Sequence, residues 1–179
     1  MYRPLINAFL SGFLFYFFAV ADVLAQDRTQ SAGDILQVAL PVSAVGLTFG
    51  YKDSEGTLQF AKSAGVTTAV TYALKYALPD DRPNGGKHAF PSGHTSISFA
   101  SAEFIRKRYG SEYGVPAYVV ASFVGYSRVE SHQHYTDEVF AGAAIGILSS
   151  YAVTTPYRNW TIQEEADGKY YGLRFSRTW

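Results

Sequence analysis

Five side chains in three separated stretches are of the types that handle a tetrahedral oxyanion. They are Lys75 and Arg82 in "KYALPDDRP", His94 in "AFPSGHTS", and Arg128 and His134 in "SRVESHQHYTDE". Cations neutralise the spread negative charge of such a group, and arginine does so through two parallel donors. One imidazole can attack it while another protonates what leaves. Pro91, Ser92 and Gly93 precede His94 where a helix begins, and a helix N-terminus offers an anion unpaired N–H groups and a positive dipole end. Each stretch alone has an ordinary reading. Ser92 and Gly93 suit helix capping, Lys75 and Arg82 suit a solvated turn, and "SHQHYTDE" suits a polar loop. Together the three supply one coherent chemistry.

The patterns are K-x-x-x-x-x-x-R-P, P-S-G-H and S-R-x-x-x-x-x-H. In order and internal spacing the chain resembles the type 2 phosphatidic acid phosphatase and vanadium haloperoxidase superfamily from about Asp34 to Tyr151, including "VFAGAAIGI" after the last motif. The resemblance implies a metal-independent phosphatase that acts on phosphomonoesters or pyrophosphates, lipid phosphates foremost. It implies His134 as nucleophile, forming a phosphohistidine, and His94 as the acid for the leaving group and then the base for water. Lys75, Arg82 and Arg128, with the Ser92 hydroxyl and the Gly93 N–H, would bind the non-bridging oxygens. No cofactor is implied, and vanadate is expected as an inhibitor or phosphate mimic.

One position departs from the pattern. The family's terminal Asp, four residues after the last histidine, is Glu138 here. A carboxylate there would hold the tautomer of His134, and residues four apart share a helix face. Asp137, at plus three, is the alternative; Glu138 is preferred because "VFAGAA" then stays in register. Two rival functions remain at this stage: a vanadate-dependent haloperoxidase, and a non-catalytic envelope protein that only binds anions. His88 and His132 match no family position and read as loop or surface histidines. A zinc half-site at His132-x-His134 is a further alternative, but it leaves the three cations unexplained.

These residues need a scaffold. With 179 residues the chain is long enough for one domain with a real core. It has 15 basic and 15 acidic residues and no cysteine. Balanced charge argues against a nucleic-acid partner, and the cysteine count excludes disulfides and thiolate chemistry. The expected fold is mainly α: a compact bundle of about five core helices after a signal peptide, with a C-terminal β-hairpin.

Residues 1–25 have the layout of a signal peptide cleaved after Ala25, with Arg3, an apolar run and small residues before Gln26. An uncleaved anchor is the competing reading. Either places the body outside the cytoplasm, periplasmic or membrane-associated. A helical phosphatase domain is expected over 26–155 and the hairpin tail over 156–179. Apolar spacing predicts helices over Ile35–Phe49, Thr57–Ala77, His94–Tyr109, Val115–Ser127 and Thr136–Val153, with Gly110 and Gly114 as stops. Gln37, Lys62, Lys75 and Glu103 interrupt the apolar runs, which favours a buried core over membrane spans. Asp167-Gly168 between alternating segments signals the hairpin turn. Its apolar face needs the helices, another subunit or a membrane surface.

Overall fold

The buried face of the first helix lies at Thr29, Ala32, Leu36, Leu40, Ala44 and Leu47, a spacing of three and four residues. In the computed structural model this helix, α1, spans Gln26–Gly50. The structure describes residues 26–78, 80–157, 160–167 and 170–177. The segment read as a signal peptide, 1–25, lies outside the described residues.

Four more helices follow: α2 (Ser54–Ala77), α3 (Gly93–Tyr109), α4 (Ser111–Glu130) and α5 (Thr136–Val153). The architecture is mainly helical, as the spacing predicts, with two corrections. First, α1 starts nine residues before the expected Ile35. Its early buried positions, Thr29 and Ala32, carry little hydropathy signal, and Ile35 itself is 54% exposed. Second, Gly114 does not stop a helix; it lies inside α4. A side chain there would meet the Arg106 side chain and backbone, so the missing Cβ lets α4 cross close to α3. Gly110 alone divides α3 from α4, at φ 101, a conformation that favours glycine.

After the helices, β1 (Trp160–Asp167) and β2 (Tyr170–Arg177) pair antiparallel, with Trp160 opposite Arg177 and Asp167 opposite Tyr170. The expected Asp167-Gly168 turn falls partly on residues 168–169, outside the described set.

The apolar core sits between α1, α3 and α4. Phe104, Ile105, Tyr113 and Val124 are almost fully enclosed there, each contributing about 1.5–3 kcal/mol on burial. Beneath it, Asp53 ties the α1–α2 turn to the end of α3. Its carboxylate accepts from Arg108 Nη2 at 2.6 Å, Arg108 Nε at 2.7 Å, Tyr109 Oη at 2.9 Å and the Gly56 N–H at 2.9 Å. Burial works against the charged form of Asp53, yet these donors hold its pKa below the usual carboxylate value.

On the other side of α3 the polarity reverses. Helix α2 buries Ser63, Thr67, Thr71 and Lys75 and exposes Leu58, Val66, Val70 and Tyr76. Helix α5 buries Glu138, Gly142, Gly146, Ser149 and Ser150 while Phe140 and Leu148 face outward. Small polar side chains line the buried face of α2, where Thr71 Oγ1 donates to Ser96 Oγ of α3 at 2.9 Å, and several larger apolar ones face out. Among the described helices, Arg28–Gly50 of α1 is long and apolar enough to cross a membrane, with mean hydropathy 1.4.

Candidate active site

The last turn of α2 places Lys75 against the loop that precedes α3. Its Nζ donates to the backbone oxygens of His88 at 2.8 Å and Ala89 at 3.3 Å. His88 answers from the other side, its Nδ1 2.9 Å from the Lys75 oxygen. This reciprocal contact folds the loop back over the helix end.

Within the loop a tight turn forms. The Arg82 N–H donates to Gly86 O at 2.8 Å and the Gly85 N–H to Arg82 O at 2.9 Å, with Gly85 at φ 83. The turn carries Arg82 over the start of α3. Arg82 Nη1 reaches Gln133 Oε1 at 3.5 Å, while its Nε is buried with no acceptor among the described residues. An enclosed guanidinium N–H without a partner is costly, and an arriving oxyanion would satisfy it.

The two imidazoles are brought together by backbone. The Ser92 N–H donates to Glu138 O at 3.0 Å, tying the start of α3 to the start of α5. The Gln133 and His134 N–H groups both donate to Arg128 O, at 3.0 and 3.1 Å, so the 131–135 loop curls over the end of α4. Gly142 and Gly146 let α5 lie directly on the α3 backbone at Ser92 and Ser96.

A cavity of about 350 Å³ opens at this junction. Lys75, Arg82, Gly93, His94 and His134 all line it, and Thr68, Tyr72 and Ile97 continue its wall along α2 and α3. Five of the residues singled out in the sequence therefore share one space.

Three others sit behind the wall. Glu138 is buried, with Oε2 2.7 Å from His134 Nδ1 and 3.1 Å from the Tyr135 N–H. Asp137 is exposed, so the carboxylate on His134 is that of Glu138. Ser92 is the N-cap of α3 but makes no side-chain cap hydrogen bond. Its Oγ is fully buried and accepts from Thr95 Oγ1 at 2.9 Å, which corrects its capping reading and leaves its own O–H to donate. Arg128 is also buried, its donors directed to Ser127 Oγ, Gln30 O and Asp34 Oδ1.

Electrostatics set the protonation states. Burial first, then the cations Lys75 and Arg82, with His94 and Arg128, push the pKa of His134 down to about 3. The imidazole is neutral, and its Nδ1–H donates to Glu138. The lone pair is left on Nε2. His94 is also held below the ordinary imidazole value, by burial and then by Arg128, with Asp34 acting in the opposite direction. Burial and the neighbouring Arg82 lower Lys75 to about 8.

One contributor was missed in the sequence. Asp34 touches both His94 and Arg128, but it lies 41 residues ahead of Lys75 and reads as an ordinary helix-start acid. His88 is an exposed loop residue, as its sequence reading has it, and its ring and backbone also clasp the end of α2. Its left-handed φ of 56 leaves no mark in the sequence.

The fold recurs in known proteins. The family model described as PAP2 superfamily matches residues 54–162. A lipid A 1-phosphatase of Porphyromonas gingivalis is 38% identical over 109 residues, covering 56% of this chain and 24% of that protein. The chain thus spans about a quarter of that relative's length. Among solved structures, Aquifex aeolicus LpxE aligns with a TM-score of 0.55 at 20% identity, over 67% of this chain and 84% of that one. The first transmembrane PAP2-type phosphatidylglycerolphosphate phosphatase of Bacillus subtilis aligns with a TM-score of 0.53 at 21% identity, over 86% and 94%.

Proposed function

The chain belongs to the PAP2 superfamily, and from that membership and its site we propose that it is a phosphatase acting on lipid phosphates through a phosphohistidine intermediate. The observation that carries this is the shared cavity of Lys75, Arg82, His94 and His134, with Glu138 on the nitrogen of His134 that does not attack.

In the proposed reaction Lys75 and Arg82 take the non-bridging oxygens, the buried Nε of Arg82 gaining an acceptor, and the Gly93 N–H adds a donor at the positive end of α3. Arg128 adds positive charge from behind the wall. His134 Nε2 attacks phosphorus; the P–N bond forms as the P–O bond to the leaving group breaks. His94 gives its proton to the departing oxygen. It then takes one from water, whose oxygen attacks the phosphohistidine, breaks the P–N bond, releases phosphate and restores neutral His134. Glu138 balances the positive charge that the attacking imidazole acquires. The residues above carry each step without a metal ion.

A lipid substrate is supported by the relatives' names and by the cavity itself, whose wall passes from cations to Tyr72 and Ile97. The apolar outer faces of α2 and α5 and the long apolar α1 support association with a membrane. We assign residues 1–25 to export, with the site on the periplasmic side, 26–155 to the catalytic body and 156–179 to a C-terminal hairpin tail.

The test is phosphate release in chelator from phosphatidic acid, phosphatidylglycerol phosphate, undecaprenyl pyrophosphate, lipid A and a chromogenic soluble monoester, with and without detergent. Release from one or more lipid substrates supports the reading. Bromide oxidation by peroxide in the presence of vanadate, without phosphate release, would replace it with the haloperoxidase alternative.

A further inference from the structure

Asp34 stands outside all three motifs, yet its Oδ1 meets two groups of the site. It accepts from Arg128 Nη1 at 2.7 Å and lies 3.2 Å from His94 Nε2. The contact is built into the packing. Gly33, beside it, approaches Ser127 and Arg128 so closely that a Cβ would collide with both side chains, and Arg128 Nη2 anchors the same turn of α1 through Gln30 O at 2.8 Å.

A lone pair on His94 Nε2 would face the carboxylate's own lone pairs, so Nε2 carries hydrogen in this arrangement. Resting on the phosphatase reading, we propose that Asp34 is a positioning residue for His94: it fixes hydrogen on Nε2, so that Nδ1 is the nitrogen that gives and takes the catalytic proton. The site then holds two carboxylate–imidazole pairs of opposite sense. Glu138 on Nδ1 of His134 leaves Nε2 to attack, and Asp34 on Nε2 of His94 leaves Nδ1 to transfer a proton.

The charge around His94 shows why a carboxylate is needed. Burial, then Arg128 of α4 and Arg82 of the loop, oppose a second proton on the ring, and Lys75 of α2 lines the same cavity. His134 is neutral, and Glu138 of α5 is spent on it. Asp34 of α1 is the carboxylate in direct contact with His94. Without it the ring would lose the proton it must deliver.

The test is a pH titration of the His94 ring by NMR in the full chain, its signal assigned by loss in His94→Ala, for the wild type, Asp34→Asn and Asp34→Glu. The expected result is proton binding to His94 weakened about threefold or more in Asp34→Asn, a fall of ~0.5 in pKa, and close to wild type in Asp34→Glu. The alkaline limb of kcat/KM moves down in parallel. Should Asp34→Asn fail to fold, Asp34→Ser removes the same charge and carries the same expectation. An unchanged or raised His94 pKa without the carboxylate overturns the inference and leaves Asp34 a structural partner of Arg128. The ring titration needs no turnover, so it stands apart from the phosphatase reading, which fails if the wild type releases no phosphate.

Discussion

His134 Nδ1 lies 2.7 Å from Glu138 Oε2, and both side chains are almost wholly enclosed. The pair spans one helical turn, from the loop before α5 into its first turn. The Tyr135 N–H shares the same oxygen, so the carboxylate cannot swing away without leaving a backbone donor unpaired. This fixes which imidazole nitrogen faces the cavity.

Glu138→Gln keeps the shape but removes the charge and allows the wrong tautomer of His134. The expected effect is a fall in kcat of about a hundredfold or more with little change in KM, since the interaction strengthens as the imidazole becomes cationic. Glu138→Asp, which restores the carboxylate of the family pattern, retains more activity than Glu138→Gln. Steady-state kinetics on a lipid phosphate checks both.

The pH profile follows from His94. Its folded pKa lies below the ordinary imidazole value, through burial and then Arg128, and the reaction needs its protonated form. In kcat/KM, which reports the free enzyme, activity therefore falls with rising pH from a point below the ordinary histidine pKa. In kcat the limb lies higher, because the bound phosphate dianion favours the proton. His134, at about 3, stays neutral throughout. Kinetics from pH 4 to 9 separates the two limbs.

An oxyanion relieves the repulsion among Lys75, Arg82 and Arg128 and gives the buried Arg82 Nε an acceptor. Vanadate or phosphate should therefore stabilise the fold. At roughly a hundredfold excess over Kd the gain is about 2.7 kcal/mol, a rise in Tm of about 5–10 °C for a chain of this size. Arg82→Ala loses most of that rise. Thermal unfolding with and without vanadate measures it.

Gly142 and Gly146 let α5 touch the α3 backbone at Ser92 and Ser96. Alanine at either position forces the helices apart, with an overpacking cost of about 1–3 kcal/mol. Both variants lower Tm, and Gly142→Ala lowers kcat/KM more. Its contact is the Ser92 carbonyl, two residues before His94, so separation there pulls the two imidazoles apart.

Much of the site was legible because the chemistry needs particular residue types at fixed spacing. Lys75, Arg82, His94 and His134 converge on one cavity as the motifs implied, and Glu138 rather than Asp137 meets His134 because a helix repeats at about four residues. The burial pattern was less legible. The tight seam between α2, α3 and α5 selects small polar residues inside and leaves larger apolar ones outside, the reverse of what hydropathy suggests for Leu58, Val66 and Val70. Ser92 looked like a cap, but its side chain caps nothing and instead accepts from Thr95. Asp34 was invisible because its contacts with Arg128 and His94 arise from the packing of α1 against α3 and α4, a tertiary fact with no local signature.

The most direct measurement is release of inorganic phosphate in chelator from the same panel of substrates, by the wild type and by His134→Ala, with a cooperative thermal unfolding transition of the variant as a check that it is folded. The expected result is turnover by the wild type and a loss of at least a thousandfold, on the order seen for removal of a nucleophile, in a folded variant. Full turnover by folded His134→Ala, or no phosphate released from any of these substrates by the wild type, would contradict a reaction centred on His134.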